Sequence, residues 1–177
     1  MTRVTFLRIS GMQPWIPLPY SGRIVGISLN FQPVTSRSIA MQLSPTAFVA
    51  NRELIAELEK IATSVQCGED RILFEQDESP IGIYIVLSGN VTLSMKSALG
   101  GDVFRFAAHP SSILGLPAVV GNTPYSLAAT AHKGAQVSFV PAATFSQMML
   151  SQPSMAVQVL QVLAAEVRSA RQGMMGN

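Results

Sequence analysis

The chain has 177 residues, 48% of them hydrophobic and 12% charged, with a formal net charge of +2. That length suits one domain with a sizeable core, and so small a charged fraction excludes a disordered or nucleic-acid-coating chain. A basic face for DNA or RNA needs clustered Lys and Arg; four arginines are instead scattered through an acid-free first 43 residues, leaving eight basic against ten acidic residues in the rest.

Residues 1–43 read as a low-order extension. Pro14, Pro17, Pro19 and Pro33 interrupt every would-be element, and only Arg23–Asn30 is patterned for a short strand. The bias of this stretch, Arg and Ser without acids, is shared by transit peptides and by segments upstream of a true start codon. The domain proper is expected over residues 44–175. Its first helix is predicted to begin near Ser44-Pro45, with Ser as N-cap and Pro at the first helical position, and Leu54, Leu58 and Ile61 form its apolar stripe.

Beyond Ser64 the period changes to two. Strands are predicted over Arg71–Phe74, Gly82–Leu87, Asn90–Met95, Val103–Ala108, Leu127–Ala131 and Ala135–Val140. Ser88-Gly89-Asn90 supplies a tight hairpin turn and Gly100-Gly101-Asp102 a second. Pro141 closes the strands, and helices follow over Ala142–Ser151 and, capped by Ser154, over Ser154–Gln172, with Gly173 as the stop. The fold class is therefore mainly β with flanking helices: a double-stranded β-roll or jelly roll with an N-terminal helix and two C-terminal helices.

Several landmarks stand in order along this frame. Gly68 precedes Ile72-Leu73-Phe74, then comes Ile83-Tyr84-Ile85-Val86-Leu87-Ser88-Gly89-Asn90-Val91, then a segment from Gly115 to Ser126, then Val137-Ser138-Phe139-Val140-Pro141 ahead of Phe145. From about Leu54 to Arg171 this resembles the cyclic nucleotide-binding domain family, the sensor domain of cAMP-receptor and FNR-type bacterial regulators. The resemblance implies that Gly115, Leu116, Pro117, Ala118, Pro124, Tyr125 and Ser126 line a ligand site. In such cassettes a Glu follows the glycine and accepts from the ribose 2′-hydroxyl, and an Arg after the proline clamps the cyclic phosphate; here Leu116 and Tyr125 stand in those places. A short helix after Gly115 would still offer free N–H groups to an anion.

The two replacements disfavour a cyclic nucleotide. An unpaired ribose hydroxyl costs roughly 1–3 kcal/mol, and a desolvated phosphate without its Arg about 2–5 more. Restoring the pair as Leu116→Glu with Tyr125→Arg is expected to return nucleotide binding if the backbone frame is intact.

No cofactor and no metal site are expected. Arg105 alternates with Phe104 and Phe106 as a solvent-facing strand residue, Lys133 is a second cation near the roll, and His109 and His132 read as strand-end or loop residues. The acidic Glu75, Asp77 and Glu78 read as a solvated turn. A nucleophile elbow, a P-loop and a nucleophile with evident His and carboxylate partners are all missing from the sequence, so an enzyme is not expected. Cys67 is the sole cysteine and reads as a structural thiol. With no apolar run of about 18 residues and no compact signal segment, the expected location is the cytoplasm, away from any membrane.

The last helix carries Met155, Val159, Val162, Leu163, Ala165, Val167 and Ala170, an apolar face wider than one contact requires. Residues 154–172 are therefore expected to serve a homodimer or heterodimer, and no DNA-reading domain is expected after them. The function that follows is a non-enzymatic regulatory or sensor module for signal transduction, whose altered pocket takes a small-molecule effector and is not selective for cAMP. The alternative is a ligand-free interaction domain that pairs through its last helix with another regulator.

Overall fold

The structure is a computed structural model that describes residues 47–98 and 100–175. The expectations for residues 1–43 and for Ser44-Pro45 lie outside those residues. In chain order the elements are α1 (Arg52–Glu59), β1 (Thr63–Gln66), β2 (Arg71–Phe74), β3 (Gly82–Ser88), β4 (Val91–Lys96), β5 (Asp102–Ala108), β6 (Ile113–Leu114), α2 (Leu116–Gly121), β7 (Ala128–Ala131), β8 (Gln136–Pro141), α3 (Ala142–Ser151) and α4 (Pro153–Met175). The strands make two antiparallel four-stranded sheets, in the orders β1-β8-β3-β6 and β2-β7-β4-β5. This is the jelly roll expected from the sequence, with a helix before it and two after.

Strand patterning explains the layering. In β4, Val91 and Leu93 are buried while Thr92 and Ser94 alternate with them on the wetter face, as befits a sheet with one solvated side. In β3 both faces are buried. Tyr84 and Val86 enter the core between the sheets, whereas Ile83 and Ile85 enter a second core formed with Leu54, Leu58, Phe145 and Val159 of the helices. The unbroken apolar run Ile83–Leu87 is thus the signature of a strand between two layers. The Gly89 turn has φ +81°, and a Cβ there would stand 2.6 Å from the Ala135 Cα, so the residue serves both the turn and the close passage of the chain before β8.

Four expectations are corrected. Helix α1 begins at Arg52, where the Asn51 carboxamide oxygen accepts from the Leu54 N–H at 2.8 Å; residues 47–50 are turn and bridge, and Ile61 lies beyond the helix. Two strands, β1 and β6, had no place in the sequence reading. Helix α4 starts at Pro153, not under a Ser154 cap, because Pro suits the first helical position. Its end is not at Gly173, since the helix runs through that glycine to Met175; a glycine in a last turn costs only about 1 kcal/mol against alanine.

Among the described residues no helix is long and apolar enough to cross a membrane.

Candidate functional site

Gly115 has φ +79° and turns the chain from β6 into α2. A Cβ here would meet the Tyr125 ring at 2.7 Å and the Gly82 oxygen at 3.3 Å. The glycine therefore serves the left-handed backbone and also makes room for Tyr125. Asn122, also left-handed, ends α2 with its N–H on the Ala118 oxygen.

Tyr125 turns its hydroxyl to the backbone. It is 1% exposed, and its hydroxyl donates to the Gly82 oxygen at 2.6 Å while accepting from the N–H groups of Ile81 (3.2 Å) and Gly82 (3.3 Å). Its ring stacks on Phe74 at 4.1 Å and 21°. Its backbone pairs with the acidic turn, donating to the Glu78 oxygen and accepting from the Asp77 N–H. Burial pushes the phenol above its ordinary value, outweighing the backbone hydrogen bonds that lower it. The residue is a neutral latch between the cassette and the start of β3.

Leu116 is the second surprise. It is 0% exposed and packs into the helix-side core with Leu54, Ile83 and Ile85, not into the interior of the roll. Around that interior Gly115, Pro117, Ala118, Tyr125 and Ser126 come together, with Phe48, Phe74, Leu93, Leu114, Leu127 and Glu166, about a cavity of 30 Å³. Leu116 and Pro124 are not part of its wall, and Pro124 is exposed. Enclosed small-molecule pockets occupy about 300–1,000 Å³, so the cavity is far smaller than a nucleotide.

Six wall residues were not expected from the sequence, the apolar Phe48, Phe74, Leu93, Leu114 and Leu127 and the ionisable Glu166. Glu166 reaches the cavity from α4, and burial pushes its carboxyl up to about 7. A sequence signal existed: Glu166 is the sole acid between Pro153 and Asn177, set within an apolar helical stretch.

Arg105, Lys133 and His109 are exposed and stand outside the cavity wall; His109 lies edge-on to Phe106 at 6.4 Å. His132 has a defined role. Its Nε2 is 2.8 Å from the Thr92 Oγ1 and its Nδ1 3.1 Å from the Asp70 carboxylate, whose other oxygen accepts from the Lys133 N–H at 2.8 Å. Thr92 is mid-strand on β4 and pairs with Thr130, so this series of hydroxyl, imidazole and carboxylate joins the start of β2 to the turn between β7 and β8. The Lys133 N–H first, and His132 second, hold the Asp70 carboxyl below its ordinary value. A lowered carboxyl stabilises the fold above its unfolded value of about 3.9 and loses that contribution as pH falls through the folded value. In acid titrations followed by circular dichroism, Asp70→Asn should therefore flatten the stability loss below about pH 4.

Among the described residues no group of three His, Cys, Asp or Glu side chains is placed to hold a metal ion. Cys67 is buried.

Residues 64–152 match the sequence pattern of the family described as cyclic nucleotide-binding domain. No curated protein matches the sequence. Among solved structures, the chain is similar to the Thermus thermophilus catabolite activator protein, with 17% identity and TM-score 0.59 over 74% of this chain and 62% of that one. It is similar to the N-terminal domain of a Streptomyces coelicolor transcriptional regulator, with 19% identity and TM-score 0.55 over 80% and 97%. A third is CLP of Xanthomonas campestris, described as a c-di-GMP responsive global regulator, with 10% identity and TM-score 0.58 over 71% and 61%. The chain thus spans about three fifths of the length of two of these proteins, and at such identities the likeness is one of fold.

Proposed function

Because the chain belongs to the cyclic nucleotide-binding domain family, a family of regulatory domains, we propose that it is a non-enzymatic sensor module whose interior site is not selective for cAMP. The domain runs over residues 44–175, works in the cytoplasm, and responds to a small-molecule effector. The observation that carries this reading is Tyr125: where the resembled cassette holds its Arg, a neutral side chain stacks on Phe74 and directs its hydroxyl to the backbone of Ile81 and Gly82. With no cation among the described residues of the cavity wall, a cyclic phosphate lacks a counter-charge from them in a low-dielectric space, and cyclic nucleotides fall to the weak end of the effectors this site takes. Thermal-shift screening of the full chain against cyclic nucleotides and a metabolite panel tests the reading. A ligand that binds only the folded state at a hundredfold its Kd stabilises by about 2.7 kcal/mol. Stabilisation by micromolar cAMP would overturn the claim about selectivity.

The output surface proposed is α4. Its Met155, Val159 and Val162 are buried against the domain, yet Val157, Leu160 and Val167 remain 54%, 57% and 51% exposed. With the exposed Ala164 these fall at spacings of three, four and three, the narrow seam of a two-stranded coil. An apolar, uncharged seam is complementary to itself, so the partner proposed is a second copy of this chain. Leu160→Asp, which enters the seam twice in a symmetric pair, should weaken dimerisation by at least about tenfold, read as a shift to monomer in sedimentation velocity. A wild-type chain that sediments as a monomer at high micromolar concentration would remove this reading and leave the sensor proposal untouched.

A further inference from the structure

Among the described residues, the interior cavity is lined by one ionisable side chain besides Tyr125. Tyr125 lines it with a ring but turns its hydroxyl to Gly82 and Ile81. Phe48, Phe74, Leu93, Leu114 and Leu127 are apolar. Ser126 is exposed at the edge. Among the described lining residues Glu166 alone brings a carboxyl, half-buried and pushed up by desolvation. On its own helix the nearby cations Arg168 and Arg171 are exposed. Among the described residues no Lys, Arg or His lines the space with it.

A carboxylate beside an apolar enclosure repels phosphate and carboxylate ligands. It favours a ligand that can donate charged N–H groups, since hydrogen bonds between ions are about twice as strong as neutral ones. We propose that the interior site takes a small organic cation, with an ammonium or amidinium group bound to the Glu166 carboxylate and an apolar body set among Phe74, Leu114 and Leu127. This rests on the sensor reading and sharpens it by naming the class of effector.

The cavity volume of 30 Å³ means that such a ligand must displace a wall. The wall element able to give is α4: Glu166 is its single contribution, whereas β2, β4, β6 and the cassette supply most of the rest. Ligand binding is therefore linked to the position of α4, the same helix that carries the exposed seam. The linkage extends to protons. Burial holds the Glu166 carboxyl near 7, so in the resting state it is largely neutral at pH 6 and largely ionised at pH 8. A ligand that requires the ionised form then binds about tenfold more weakly at pH 6 than at pH 8.

Three probes with the same ring and different charge separate the outcomes: benzylamine, benzyl alcohol and benzoate. They would be added to the full chain and to Glu166→Gln, with Kd read from chemical-shift perturbation and thermal shift at pH 6 and pH 8. The expected result is a benzylamine Kd at least about tenfold below that of benzyl alcohol at pH 8, a smaller preference at pH 6, and no preference in Glu166→Gln. Benzoate binding as tightly as benzylamine would overturn the proposal, as would an amine preference that survives in Glu166→Gln, or no binding of any probe. Glu166→Gln should itself gain more in melting temperature over the wild type at pH 8 than at pH 5, because a raised carboxyl costs stability progressively as pH climbs from its unfolded value to its folded value of about 7; an unchanged difference between those pH values would also count against it. A neutral metabolite that stabilises wild type and Glu166→Gln alike would leave the sensor reading standing and remove the cation. Tight cAMP binding would remove the selectivity reading itself.

Discussion

Replacing Leu116 by Glu is expected to destabilise the domain by at least about 3–5 kcal/mol, the range found when a buried charge is left without a partner. Leu116 is fully buried in a wall of Leu54, Ile83, Ile85, Ile113 and Phe145, and none of these can accept or donate a hydrogen bond through its side chain. An ionised carboxylate placed there loses hydration without gaining a donor, and the leucine's own packing is lost as well. Domains of this size are stable by only about 5–15 kcal/mol, so the substitution removes a large share of the total. Leu116→Met keeps volume and polarity and should cost less than about 1.5 kcal/mol. Urea denaturation of the two variants and the wild type reads the difference directly.

This result changes what the double substitution Leu116→Glu with Tyr125→Arg can achieve. The sequence alone suggests that the pair would restore a nucleotide clamp on an intact frame. In the fold the two positions face different cores: Leu116 the helix-side core and Tyr125 the interior of the roll. The Glu would point away from any ligand in the roll unless α2 turned about its axis. The expected outcome is a destabilised chain without nanomolar or micromolar cAMP affinity. A folded double variant that binds cAMP in the micromolar range would mean that α2 rotates and that its present register is not fixed by the core.

How far the sequence carried the fold depends on where burial leaves a local trace. Strand β2 and helix α3 were legible to the residue, since Arg71–Phe74 lies between turn signals and Ala142–Ser151 follows a strand-ending proline. Strand β1 was not, because Thr63, Ser64 and Gln66 are exposed and polar and only its pairing with β8 makes it a strand. Strand β6 has two residues, fewer than any period can reveal. The cassette showed the same division. Its backbone was legible through Gly115, whose positive φ is a local property. The direction of Leu116 was not, because the rotation of a six-residue helix is set by the core it meets. Glu166 lies 40 residues beyond the cassette in sequence and joins it through the packing of α4, so spacing within the cassette could not point to it.

Tyr125→Ala should cost about 3–5 kcal/mol, the range for deleting a buried aromatic ring. Tyr125→Phe should cost about 1–3 kcal/mol for the hydroxyl alone. Three losses make up the larger figure. The ring is 1% exposed and fills the space that Gly115 leaves for it, its stack on Phe74 at 4.1 Å is lost, and the Gly82 carbonyl and Ile81 and Gly82 amides lose the hydroxyl that joins them. The two variants also separate latch from ligand. Tyr125→Phe keeps the stack and the closed cavity, so its ligand preferences should match those of the wild type. Tyr125→Ala enlarges the 30 Å³ cavity beside Phe74 without adding a cation, and a neutral aromatic such as indole should bind it and restore part of the lost stability. Thermal melts with and without indole decide this: rescue of Tyr125→Ala and not of Tyr125→Phe supports a cavity closed by the Tyr125 ring. Equal rescue of both, or a Tyr125→Ala chain as stable as the wild type, would show that the ring does not close it.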